Sequence, residues 1–351
     1  MHILVFGAGP LGSLLAARLH QGGQKVTLLA RGKRLNDLLA HGICLKSAST
    51  GRVENIHVPI VAEFTADSRY DLVIVVMRKN SAMKILALLS QNEFIPHFLF
   101  LMNNAAGAEA FADALGAERV VMGFPGMAGY MEENCVTYIT AEAEQPASIV
   151  IGAVEGQPSN QVQKIARILE QGQFIHVTIE PNMDAWSKYH VALLFPALAP
   201  ALYLCGNDHL RLARTRDALV LAWRGIQEAF RVLKKLGYPI RPVYLKLYLW
   251  LPEPIAVAML KRISKNPRMD VGMARHARSI RDEIEQLNAE FRELIARSGE
   301  FTPVINFLMQ QFSQQAPLLP DGAHSLRLRW SELLMPLLLV CLLGLIVMYV
   351  I

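Results

Sequence analysis

"ILVFGAGPLGSLLAARL", from Ile3 to Leu19, is the stretch that decides the fold. A run of β-formers passes straight into Gly7, Gly9 and Gly12, and then into an apolar, alanine-rich segment with helical spacing. Strand, glycine turn and helix in this order open a dinucleotide-binding βαβ unit. The first glycine permits the tight turn, the second lets the backbone approach a pyrophosphate, and the third allows close packing of helix on strand. The helix that starts at Pro10 and Leu11 then offers a positive dipole end, and free N–H groups from Leu11 onward, to phosphate. The plain alternative is a packing turn with no ligand. A second strand at the right distance, "QKVTLLA" (24–30), weighs against it.

That second strand runs on into "RGKR". Where the dinucleotide is NAD, an acid near this point bonds the ribose 2′-hydroxyl; here Arg31 stands instead, with Lys33 and Arg34 behind it. A guanidinium suits a 2′-phosphate by charge and by bidentate geometry, so NADP(H) is favoured over NAD(H). The three basic residues also read as a solvated turn, and both readings can hold together.

Apolar runs at 2–6, 24–30, 71–77, 98–102, 118–124, 135–139, 147–153 and 174–179 read as strands. With a helix over 160–171 they predict a doubly wound α/β domain over 1–180. Long helical patterns follow at 182–204, 208–236, 252–264 and 272–298, predicting an all-α domain over 181–313. The second of these stops at Gly237, with Pro239 two residues on. A tether over 314–332 leads to a distinct tail, 333–351.

The tail, "LLMPLLLVCLLGLIVMYVI", carries no charge. As a helix it would be about 28 Å long, against a bilayer core of about 30 Å. Arg327 and Arg329 precede it, and Trp330 stands where an interfacial aromatic belongs. The expectation is a single-pass C-terminal membrane anchor with the catalytic domains cytoplasmic; the competing reading is a helix buried in a homodimer interface. Met1 leads directly into the first strand, so no secretory leader is expected.

The chain of 351 residues is 52% hydrophobic and 19% charged, with a net charge of +5 and no long basic block, which argues against nucleic acid as partner. Cys44, Cys135, Cys205 and Cys341 are scattered singly. No spacing suggests a metal site or a disulfide framework, and a reducing compartment fits.

Two ionisable residues in the predicted helical domain stand out. Lys188 immediately precedes a stretch without charge, Val191 to Leu204. A lysine at such an edge is partly desolvated, which eases proton donation; the alternative is a lysine snorkelling from a helix start. Glu283 shares a helix face with Ile280, Ile284 and Leu287, where a carboxylate is costly without a partner. An edge position paired with Arg278 or Arg281 is the alternative. Glu285 and Glu290 read as solvated charges.

In order along Met1 to about Phe307 the chain shows "GAGPLG", Arg31, Arg78 after "DLVIVVM", Asn104 in "LMNNAAG", "WSK" with Lys188, "EI" with Glu283, and "GEFTP". This succession resembles the ketopantoate reductase family, the NADPH-dependent 2-oxoacid reductases. The resemblance implies an N-terminal Rossmann domain, a helical C-terminal domain and an active site between them. It implies reduction of a 2-oxoacid to a 2-hydroxyacid, as in ketopantoate to pantoate, a step of pantothenate and coenzyme A biosynthesis. Lys188 would then be the general acid, and Glu283 would bond the substrate hydroxyl and help hold Lys188. Asn104 would position the nicotinamide and substrate, and Arg78 would lie near the cofactor phosphate where the family has a lysine, with Lys79 as its neighbour. The chain also departs from the family. Asparagines usual four and eight residues after the lysine are Ala192 and Pro196, and the serine region about twelve residues before Glu283 reads "MDVGM", around Val271. Arg275 or His276 are stand-in candidates for a carboxylate anchor. A site that has lost these groups leaves a second expectation open, a non-catalytic NADP(H)-binding redox sensor or scaffold at the membrane.

Overall fold

The computed structural model describes residues 1–154, 156, 160–267, 269–270 and 280–334. The chain divides into two compact units. The first is Met1–Val191 together with the helix beginning at Arg281, as far as Phe291; the second takes the chain from Ala192 and again from Arg292.

In the first unit the strands are β1 (His2–Phe6), β2 (Lys25–Leu29), β3 (Ile43–Ser47), β4 (Val53–Ile56), β5 (Ile60–Val61) and β6 (Leu72–Val75). They continue as β7 (Phe98–Leu101), β8 (Val120–Gly126), β9 (Gly129–Glu132), β10 (Cys135–Tyr138), β11 (Ala147–Ala153) and β12 (Ile175–Ile179). Eight form one sheet in the order β12-β11-β8-β7-β6-β1-β2-β5, parallel throughout except for the antiparallel β8–β11 pair. Its helices are α1 (Pro10–Gln21), α2 (Gly32–His41), α3 (Lys79–Ser90), α4 (Glu109–Leu115), α5 (Asn160–Leu169) and α6 (Met183–Leu194).

Apolar runs make this sheet because side chains alternate across the pleat and both faces are covered. Ile3, Val5, Ile74 and Leu99 enter one core with Leu14, Leu15 and Leu19 of α1. Leu4, Phe6, Val75 and Phe100 enter the other with Leu86 and Leu89 of α3 and Phe111 of α4. β1 lies between β2 and β6, so the order of strands reverses beside it. Ligands of open α/β sheets bind outside the carboxyl ends of the strands at such a point.

Two expectations need correction here. The run 135–139 does form a strand, but β10 belongs to a separate sheet of order β4-β3-β10-β9. The short, half-exposed strands β3, β4, β5 and β9 carry no long apolar run and escape a reading based on periodicity. Within the small sheet β3 and β10 run parallel with Cys44 directly opposite Cys135. The two form a disulfide, with Cα atoms 4.6 Å apart. Residues separated by 91 positions give no local sign of being cross-strand neighbours, which is why single cysteines read as unpaired.

The second unit is helical: α7 (Leu198–Leu204), α8 (His209–Arg214), α9 (Arg216–Lys235), α10 (Glu253–Ser264), the end of α11 (Arg281–Ser298) and α12 (Pro303–Ser313). The pattern at 182–204 is two helices broken at Pro196, whose ring cannot continue the ladder. That at 208–236 breaks at Thr215, whose hydroxyl donates to the Arg211 carbonyl. α9 packs on α7, α8, α10 and α12. A 3-10 turn at Val243–Leu249, which the sequence reading leaves unassigned, follows α9. Among the described residues no helix is long and apolar enough to cross a membrane. Of the tail, residues 335–351 lie outside the described residues; Leu333 ends a short 3-10 turn that starts at Trp330.

Candidate active site

The glycine turn is built as its residue types require. Gly7 has φ +122°, and a Cβ there would strike the Val76 carbonyl; a Cβ on Gly12 would overlap the carbonyl oxygen of Gly7. Gly9 is different. It caps α1 ahead of Pro10 and Leu11, and a Cβ built on it meets no atom within 4 Å. The turn therefore presents a helix N-terminus to open space, a shape that fits a diphosphate.

At the end of β2, Arg31 and Gly32 line an open pocket with Leu35, Ala62, Glu63 and Phe64. The Arg31 guanidinium lies 5.9 Å from the centre of the Phe6 ring. Glu63, from the chain after β5, supplies an acid to this wall that the order of residues along β2 could not reveal.

The loops after β6 and β7 carry the next elements. Arg78 caps α3 and donates to Asp282 at 2.7 Å, and Asn80 donates to the same carboxylate at 3.1 Å. These two partners outweigh partial burial and hold the Asp282 carboxyl below the usual range. The buried position goes to Lys79, whose ammonium donates to Asn104 Oδ1 at 2.7 Å and pairs with Glu290 Oε1 at 2.9 Å. Asn104 also donates to the Gly107 carbonyl at 2.6 Å. The other Glu290 oxygen accepts from the backbone N–H groups of Ala105 and Ala106, at 3.0 and 3.1 Å. Glu290 is thus no solvated charge. It lies seven residues beyond Glu283, two helical turns, and so shares that residue's face; this spacing was the signal to read. Glu285, by contrast, is half-exposed and pairs with Arg281.

Glu283 stands in the first turn of α11 and accepts from Asn103 Nδ2 at 2.9 Å. Burial pushes its carboxyl pKa up, against the opposing pull of Asn103 and Arg78. Asn103, not singled out in the sequence, is thereby a site residue beside Asn104.

Lys188 is buried on α6 and forms an ion pair with Asp184, one turn earlier, whose side chain remains 37% exposed. Asp184 and Ser187 line a narrow crevice together with Asn104, Ala108, Met122 and Met183. Asn104 and the partner of Lys188 therefore border one small space, which neither Lys188 nor Glu283 lines. On the same helix His190 stacks on Trp186 at 5.0 Å and lies 4.1 Å from the Phe124 ring. Its Nε2 is enclosed with no hydrogen-bond partner, and burial pushes its pKa down to about 4. Ala192 and Pro196 are both buried. Val271, Arg275 and His276 lie outside the described residues.

A glycine turn facing open space at the switch point of a doubly wound sheet, with a pocket lined by Arg31 and Glu63 beyond β2, defines a dinucleotide-binding unit. Residues 3–156 match the family model described as Ketopantoate reductase PanE/ApbA. No curated protein matches the chain in sequence. Solved structures match over most of its length. A D-mandelate dehydrogenase with NADH and anilino(oxo)acetate aligns with TM-score 0.73 at 17% identity, over 90% of this chain and 98% of that one. The 2-dehydropantoate 2-reductase of Geobacter metallireducens GS-15 aligns with TM-score 0.70 at 18% identity, over 90% and 100%. A PanE/ApbA family ketopantoate reductase of Ralstonia eutropha JMP134 gives 0.70 at 19%, over 90% and 98%. These likenesses are ones of fold.

Proposed function

We propose that the protein reduces a 2-oxoacid to a 2-hydroxyacid with NADPH, the reaction type of ketopantoate to pantoate. The observation that carries this reading is the crevice shared by Asn104 and Asp184, with Lys188 paired to the latter. The matched family domain and the names of the fold neighbours point the same way. The residues fit a dinucleotide: the N-terminus of α1 above Gly9 would hold the diphosphate and Arg31 a 2′-phosphate. The chemistry such a cofactor would supply there is hydride transfer to the carbonyl carbon.

The chain's own groups do the rest. The Lys188 ammonium polarises the carbonyl oxygen and gives it a proton as charge develops there. Asp184, able to turn towards water, holds that ammonium in place. Asn104, fixed by Lys79 and Gly107, orients the reacting ends. Glu283 bonds the nascent hydroxyl; its raised pKa keeps a larger share of it protonated and able to donate. Ala192 and Pro196 remove polar anchors, so the favoured substrate is larger or more apolar than ketopantoate. The apolar stretch 333–351 anchors the chain in a membrane.

The test is NADPH oxidation by the full chain over 2-oxoacids of graded size. Turnover of at least one is expected. Binding of NADPH without any turnover would favour a redox sensor or scaffold, the reading that Ala192 and Pro196 support. A chain indifferent to NADPH would end both. Gly9→Ala sharpens the cofactor assignment, because the added methyl group meets only open space. Melting temperature should stay unchanged while NADPH affinity falls.

A further inference from the structure

The second unit carries a ridge of large apolar side chains that nothing described in that unit covers. In the 3-10 turn Val243–Leu249 the repeat is three residues, so positions i, i+3 and i+6 eclipse one another. Leu245 and Tyr248 turn inward: Leu245 is buried, and Tyr248 packs 5.9 Å from the Trp223 ring while its carbonyl accepts from Gln227 at 2.6 Å. Tyr244, Leu247 and Trp250 form the outward edge and are 65%, 70% and 83% exposed. The turn is fastened to α9 by these contacts, yet its outer edge would be poorly placed in water. Contiguous exposed apolar edges of this kind mark a surface that is covered in use.

The chain's other end identifies the cover. Glu253, in the first turn of α10 and three residues beyond Trp250, is a buried hub. It accepts from Arg224 at 2.8 and 2.9 Å and from the Arg329 backbone N–H at 3.0 Å. Its own N–H donates to Glu332 at 2.7 Å, and Arg224 also donates to the Arg327 carbonyl at 2.8 Å. Residues 327–332 are thus strapped to the start of α10, at most about 11 Å of chain from Trp250. Trp330 and Leu334 are themselves exposed, and the uncharged stretch 333–351 starts at this point. Residues 241–250 carry Arg241 and Lys246 and no acid, which complements anionic headgroups.

We infer that the Tyr244–Leu247–Trp250 ridge lies in the interface of an anionic phospholipid bilayer, so that the helical unit rests on the membrane instead of hanging from a flexible tether. This rests on the reading of 333–351 as a membrane anchor. Indole and phenol rings suit that depth, having an apolar body and a polar edge.

The test uses the full chain reconstituted in phosphatidylcholine/phosphatidylglycerol vesicles with brominated acyl chains, which quench nearby indoles. Of the four tryptophans, Trp186 and Trp223 are buried and Trp250 and Trp330 exposed. Trp250→Phe should therefore remove about half of the quenchable emission, as an interfacial indole would. The side chain is exposed, so the variant should fold, and an unchanged melting curve checks this. Flotation with the vesicles reads the anchor separately. A chain that floats while the Trp250→Phe variant is quenched like the parent would overturn the ridge and leave the anchor standing. So would a Leu247→Cys chain that crosslinks to a second copy with Trp250 unquenched. A chain that does not float would overturn the anchor, and the ridge with it unless Trp250 is quenched on its own.

Discussion

Two buried lysines lie behind the candidate site, each bonded to a residue that lines its crevice, and their settings differ. Lys79, after β6, is locked between Glu290 and Asn104, and Glu290 in turn is tied to two backbone N–H groups. Lys188, on α6, pairs with an aspartate 37% exposed that lines a crevice. A proton donor needs a counter-ion that can respond as its charge changes, and Glu290, only 11% exposed and tied to two backbone N–H groups, is held in place. The contrast supports the proposed role of Lys188 in chemistry and favours Lys79 as the residue that holds the β7 loop in shape.

The first way to break this comparison is Lys188→Ala. With general-acid catalysis lost, kcat should fall by about 10²–10⁴ while NADPH affinity holds, and urea unfolding reads separately the stability that the buried side chain contributed. Equal loss on Lys79→Ala at unchanged stability would reverse the roles. Next comes Lys79→Met, which strands the Glu290 carboxylate with its lysine gone. Breaking one half of a buried pair costs about 3–5 kcal/mol, so urea unfolding should shift strongly. The double variant Lys79→Met/Glu290→Gln should recover part of that stability, because the carboxamide can still accept from Ala105 and Ala106.

These assignments were unevenly legible in the sequence. Gly7 to Gly12 and Arg31 could be read because strand, turn and helix are local, and because a parallel sheet gathers its loops at one edge. Lys188 and Glu283 could be singled out by the apolar company they keep. Glu290 reads as a solvated charge in the sequence, although its spacing from Glu283 places both on one face of α11. Lys79 could not be chosen over Arg78, since which of two adjacent residues turns inward at a helix start is settled by what waits inside. Cys44 and Cys135 were hidden for the same reason. Pairing across a sheet depends on which strands become neighbours, and β3 and β10 leave the main sheet altogether.

A third and smaller effect separates the two settings by pH. His190, two residues beyond Lys188, has its pKa lowered from an ordinary 6.5 to about 4 in the folded chain. Between those values the unfolded chain binds a proton that the folded one does not, so stability falls as pH drops through the window. It is fully present above about pH 6.5, and the loss reaches at most about 3 kcal/mol below pH 4. His190→Phe should flatten this part of the profile. A variant as pH-sensitive as the parent would place the titration elsewhere.

The smallest effect sharpens the cofactor end, where a guanidinium and a carboxylate share one pocket wall. Arg31→Ala should weaken NADPH binding by about tenfold, the loss of about one charge-assisted contact, and leave NADH nearly untouched. Glu63→Gln should act in the opposite sense, since an acid beside a 2′-phosphate repels it and beside a 2′-hydroxyl accepts from it. If instead Arg31→Ala weakened both dinucleotides alike, the guanidinium would be serving the shared adenosine through its position near Phe6, and the preference for the extra phosphate would have to be withdrawn while the glycine cradle stood.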